Sequence, residues 1–203
     1  MQRMQGTYLS RTLDSLPGLA GMLRLRTRAT YAVDSASLAL ALLAGPSQAG
    51  EWAGIVGAPD LGYEAAAGFG LDLDRTIVVP HPGEHWLSVV AGLVDVATVV
   101  LVRPPVAVSD RQAERIKSRL RQKDAALICW GDWPRCEARL SLQSSTWTGL
   151  GRGHGHLTGQ RVQVELSRGS APPRTHLLWL PDVELAVSEV LAPVIRLDRA
   201  QAG

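Results

Sequence analysis

From Ala29 to Trp130 the chain repeats one alternation, a short run of continuous apolar, β-favouring residues followed by a stretch with helical spacing. The pairs are "TYAV" with "SLALALLAG", "EWAGIVG" with "YEAAAGFG", "TIVVP" with "EHWLSVVAGLV" and "TVVLV" with "SDRQAERIKSRL", closing on "AALICW". A strand covered on one face alternates apolar with polar residues; these runs do not, so both of their faces are buried. Each pair is long enough for a crossover connection. The fold class implied is α/β, a mostly parallel sheet flanked by helices.

Local signals set the element boundaries. Asp34 or Ser35 suits the cap of a helix that ends at Gly45, with Pro46 preventing its return. Gly83 and Glu84 open a helix with Trp86, Leu87, Val90, Leu93 and Val94 on one face. Ser109 caps another, in which Ala113, Ile116 and Leu120 form a narrow inner stripe and Arg111, Arg115, Ser118 and Gln122 face water. After Trp133-Pro134 the pattern changes. "RLSLQSSTW", "QRVQVELSR" and "RTHLLWLPD" alternate like antiparallel strands added after residue 135, joined by turn-rich loops. From Asp182 an amphipathic helix is expected, with Val183, Val187, Val190, Leu191 and Val194 on one side and Pro193 bending or ending it. The expected division is a basic segment over 1–28, the α/β domain over 29–181, and a helix and tail over 182–203.

Charge is informative through its placement, because the net value is only +2. Arg3, Arg11, Arg24, Arg26 and Arg28 face Asp14 alone in the first thirty residues. Arg24, Arg26 and Arg28 are candidate contacts for DNA or a protein partner. So are Arg152 and His154, in the glycine-rich hairpin tip "GLGRGHG". That tip fails the G-x-G-x-x-G pattern. Cys129 and Cys136 in "CWGDWPRC" match no redox or zinc spacing and are expected as one strand thiol and one loop thiol. His81 and His85 in "HPGEH", with His154 and His156 in "GHGH", carry no H-E-x-x-H or paired C-x-x-C spacing, so no metal is expected. No run is solid enough for a membrane span or secretory leader, and the expected compartment is the cytoplasm.

The junction "YAVDSASLALALLAG" sits where many α/β proteins cradle a phosphate. A phosphate loop needs glycines so that backbone N–H groups converge, a lysine for the outer phosphates and a hydroxyl for magnesium. Asp34, Ser35, Ala36 and Ser37 occupy that position without a glycine or lysine, and neither lysine of the chain, Lys117 or Lys123, follows a glycine. The strand that would supply a magnesium-binding aspartate ends in Arg103, which cannot ligate a cation. Nucleotide hydrolysis is therefore not expected, and no cofactor is implied.

The phrases Gly70-Leu71-Asp72-Leu73-Asp74, Pro82-Gly83-Glu84 and Thr98 to Val102 occur in the order of a RecA core. There a strand, a short helix ending in a G-[VL]-D-[IL]-type phrase, another strand, a P-x-x-G-E turn and a helix precede the Walker B strand. With "GDWP", "WTGLGRGHG" and "LWLPD", the chain resembles the actinobacterial RecA-like proteins called ImuA-prime. The resemblance implies a RecA-like core over 29–181 and a role in the DNA-damage (SOS) response. That role is an accessory one in mutagenic translesion synthesis, beside ImuB, the sliding clamp and an error-prone C-family polymerase. The assembly would be cytoplasmic and nucleoid-associated. It also marks Asp34 to Ser37 as a degenerate phosphate loop, Arg103 as a degenerate Walker B position, and Pro59 as standing near the catalytic glutamate of RecA.

The function expected is that of a non-catalytic adaptor binding ImuB. Its partner surface is expected on Val183, Val187, Val190, Leu191, Val194 and Arg196. Two alternatives stand beside it: a modulator that binds DNA or RecA filaments, and a SulA-like cell-division inhibitor, which binding to FtsZ would distinguish.

Overall fold

In a computed structural model, residues 9–148, 159–181 and 187–190 of the chain are described. Among these residues nine strands form one sheet in the order β3-β2-β4-β5-β1-β6-β7-β8-β9. The strands are β1 (Thr30–Val33), β2 (Ala53–Val56), β3 (Thr76–Val79), β4 (Val99–Val102), β5 (Ala126–Trp130), β6 (Ala138–Thr148), β7 (Gly159–Arg168), β8 (Ala171–Trp179) and β9 (Ser188–Glu189). β1 to β6 pair in parallel with one another. β7, β8 and β9 are then added, each antiparallel to the strand before. The α/β reading, with antiparallel strands added at the C-terminal side, is the observed architecture.

Helices α1 (Pro17–Ala20), α2 (Ala36–Gln48), α3 (Tyr63–Gly68), α4 (Trp86–Val94) and α5 (Asp110–Lys123) cover the sheet. Strand residues divide between two cores with period two. Tyr31, Val33, Val99, Leu101, Ala126 and Ile128 join the layer that holds α2. Ala32, Val100, Val102, Leu127 and Cys129 join the layer of α4 and α5. Helix α5 has the expected inner stripe of Ala113, Ile116 and Leu120, and its Ser109 cap is reciprocated by Gln112.

Helix α2 is buried from Leu38 to Ser47, because the N-terminal segment lies over its outer side. Leu13, Leu16, Leu19, Met22, Leu23 and Leu25 belong to the same core, so packing runs through residue 28 without a break. The expectation that α2 stops at Gly45 is corrected: the helix continues through Gly45 and Pro46 to Gln48. Gly45 serves a close approach instead. A Cβ there would lie 2.7 Å from the Asp14 carbonyl oxygen, so only glycine lets the covering segment cross. Pro46 lacks the N–H that would bond the Leu42 carbonyl, and the helix carries that loss in its last turn.

The helix expected from Asp182 is corrected where it can be seen. Ser188–Glu189 pair with Leu178 and Trp179 as β9. The β-branched Val187 and Val190 on either side favour that extended form.

Candidate functional site

In an open parallel sheet the carboxyl ends of the strands, near the point where strand order reverses, form the usual ligand crevice. Here β1 lies between β5 and β6, so its exit at Val33 is the position to inspect. Ser35 is the N-cap of α2 and accepts a hydrogen bond from the Leu38 N–H at 3.3 Å. Asp34 is left to act across the sheet. The Leu142 N–H of β6 donates to both of its carboxylate oxygens at 3.0 Å, beside the bulge between Leu142 and Ser144. Where a phosphate loop would gather N–H groups around an anion, the protein supplies its own carboxylate and one amide to satisfy it.

The second half of the crevice is built by β2, β4 and β5. Because Val102 is in register with Cys129, Arg103 emerges beside Trp130. Its guanidinium lies 4.2 Å from the ring centroid, a cation–π distance. Arg103 Nη1 also donates to Asp60 Oδ1 and Oδ2 at 2.7 and 2.8 Å. That bond holds the Asp60 carboxyl below the usual aspartate range. Gly57, with φ of +74°, makes the approach possible: a Cβ there would lie 2.5 Å from the Arg103 carbonyl oxygen. Asp34 and Arg103, read from the sequence as lost nucleotide-site positions, both stand on this edge. Each is held by a partner within the protein.

The remaining candidates separate. Arg24 and Arg26 line an open cleft of about 480 Å³ with Arg168, Arg174 and Glu137. Arg28 lies elsewhere, in a cleft with Arg121, Lys123 and Asp124 at the end of α5. Val187 is 3 % exposed and belongs to the core of its own domain, which removes it from an accessible partner surface; Val190 is half-buried. Val183, Leu191, Val194, Arg196, Arg152 and His154 lie outside the described residues.

His81 and His85 are exposed in the connection from β3 to α4. Among the described residues no group of three or more His, Cys, Asp or Glu is placed to hold a metal ion. Cys129 is buried, which pushes its thiol up to about 12, and Cys136 is half-buried. No helix among the described residues is long and apolar enough to cross a membrane.

Sequence reasoning missed Asp60, Trp130, Arg168 and Arg174. Trp130 and Asp60 had a weak signal, since each lies at the exit of an apolar run on the same side of the sheet. Arg168 and Arg174 had none, because only the β7–β8 pairing brings them to Arg24 and Arg26.

Comparison with known proteins gives two matches. The model of a family described as the MT3502 N-terminal domain matches residues 18–135, more than half of the chain. That span runs from within α1 through β5 and stops before β6. A similar protein, the uncharacterized protein Rv3395c of Mycobacterium tuberculosis, is 36 % identical over 141 residues. The alignment covers 63 % of this chain and 67 % of the relative. On this match the chain belongs to the MT3502 N-terminal domain family.

Proposed function

We propose that the chain is a non-catalytic adaptor with a RecA-like core, acting in DNA-damage-induced error-prone translesion synthesis as its resemblance to the ImuA-prime proteins implies. It binds ImuB, and through ImuB meets the sliding clamp and an error-prone C-family polymerase. One observation carries the reading. A complete parallel sheet is kept, while its carboxyl edge is occupied by Asp34 bound to the Leu142 amide and by Arg103 bound to Asp60 and Trp130. Magnesium phosphates approaching that edge would have to displace both arrangements, and Arg103 would repel the cation. Two further points support it. The order β2, α3, the Gly70-to-Leu73 phrase, β3, the Pro82-Gly83-Glu84 turn, α4 and β4 follows that of a RecA core. The 36 % identical relative comes from an actinobacterium.

The test is capture of purified ImuB, clamp, RecA and FtsZ by the full chain, alongside calorimetry with magnesium-ATP. Retention of ImuB without heat from magnesium-ATP is expected. Tight magnesium-ATP binding, or failure to retain ImuB while RecA or FtsZ is retained, overturns the reading.

A further inference from the structure

The amino end of the same sheet carries a second arrangement, built from three separate segments. Leu23 and Leu25 are buried in the core, so Arg24 and Arg26 on either side of Leu25 are exposed. The Arg26 backbone N–H donates to the Tyr31 hydroxyl at 2.8 Å, which ties this segment to β1. Across the β7–β8 hairpin, Arg174 is in register with Leu166 and Arg168 with Ala171. Strand alternation therefore puts Arg168, Leu166 and Arg174 on one face. The four guanidiniums line one cleft, whose acidic lining residue is Glu137. A contiguous cleft of about 240 Å³ adds Leu166, Ala171 and Pro172 and shares Met22, Arg168 and Arg174 with the first.

What sets these four arginines apart is that they gather in one cleft with no carboxylate within ion-pair distance among the described residues. Arg11, Arg75, Arg103, Arg119, Arg135 and Arg139 each stand within ion-pair distance of a carboxylate. Among the described residues Arg24, Arg26, Arg168 and Arg174 pair with none; the Arg168 guanidinium reaches only the Met22 carbonyl oxygen, at 3.5 Å. Like charges gathered in a concave site repel one another, and an external anion relieves that repulsion.

We infer that this cleft is the docking site for an acidic segment of a protein partner, whose carboxylates seat on Arg24, Arg26, Arg168 and Arg174 and whose apolar side chain rests on the exposed Ala171 and Pro172, beside the buried Met22 and Leu166. The inference deepens the adaptor reading and rests on it. Guanidinium forks match carboxylates in two-point geometry. Single-stranded nucleic acid fits less well, because its grooves pair basic side chains with aromatic rings for base stacking. The cleft's described lining has no aromatic ring, and Glu137 would meet a continuous phosphate chain. Pro172 and Pro173 lack N–H groups, so the partner is held there by side chains rather than as an added strand.

The experiment is fluorescence anisotropy on the full chain at low salt. The probes are a labelled peptide of interspersed glutamates and leucines, its glutamine counterpart, and oligo-thymidylate. The glutamate peptide is expected to bind best, with affinity falling as salt is added. Reversal of two charges in Arg26→Glu/Arg174→Glu weakens it about 100-fold, about tenfold for each guanidinium. Arg174→Lys keeps the charge but loses the fork, and falls in between. Arg115→Glu, on the outer face of α5, leaves binding unchanged, and equal melting temperatures show that the exposed reversals keep the fold. Undiminished peptide binding by the double reversal, no peptide binding at low salt, or tighter binding of oligo-thymidylate overturns the inference. Peptide binding that persists while ImuB is not retained sinks the adaptor reading and leaves the acidic-segment site standing.

Discussion

The two ends of the parallel strands differ in how their charges are satisfied. At the carboxyl end Asp34 is bound by the Leu142 amide, and Arg103 by Asp60 and the Trp130 ring. At the amino end Arg24, Arg26, Arg168 and Arg174 converge on one cleft with Glu137. An edge whose charges are consumed internally contributes to holding the sheet. An edge whose like charges remain together is the one on which the proposed acidic partner would act. In this sheet the usual ligand crevice is therefore the end with its charges paired, and the unpaired charge lies at the opposite end.

The comparison can be broken at the carboxyl end, and the largest effect is expected from Gly57→Ala. The new Cβ would meet the Arg103 carbonyl at 2.5 Å in a backbone with φ of +74°, so strain and clash together cost about 3 kcal/mol. A lowered denaturant midpoint measures it, and an unchanged midpoint means that the edge is looser than described. A smaller loss, about 1 kcal/mol, is expected from Asp34→Ala, which strips the Leu142 amide of its acceptor. Faster hydrogen exchange at Leu142 is the local readout; an unaltered rate would mean that the carboxylate does not hold β6.

The smallest effect sharpens the contrast through pH. The Arg103 guanidinium lowers the Asp60 carboxyl from the usual 3.8, so the pair is formed at and above that value. It is lost as pH falls through the lowered one. Arginine does not titrate in that range, so no such step arises from the four guanidiniums of the amino end. Acid titration followed by tryptophan emission should show a component, from Trp130, that disappears in Asp60→Asn. Its persistence in that variant would assign the change to another of the six tryptophans.

The parallel core was legible because its signals are local. Continuous apolar runs marked the strands, and Ser109 with Gln112 marked the start of α5. The end of α2 was not, because Gly45 answers to the Asp14 backbone crossing it rather than to a helix terminus. The closed edge was legible in part. The missing glycines and lysine and the unusual Arg103 stand in the sequence, whereas Asp60 and Trp130 reach Arg103 only through the pairing of β2, β4 and β5. The arginine cleft was half visible, in Arg24 and Arg26. Arg168 and Arg174 depend on antiparallel register, which short windows of sequence do not encode.

The bond between Asp34 and Leu142 spans 108 positions of the chain, and its consequence is for alignment. Strand β6 has a parallel neighbour in β1 and an antiparallel one in β7, with Val33 set against Leu140. A slip of one residue would turn Leu140 from the core toward the opposite face. It would also carry the Leu142 amide away from Asp34. A single carboxylate at the carboxyl end of β1 thus acts as a gauge, accepting the added strands in one position and penalising the next.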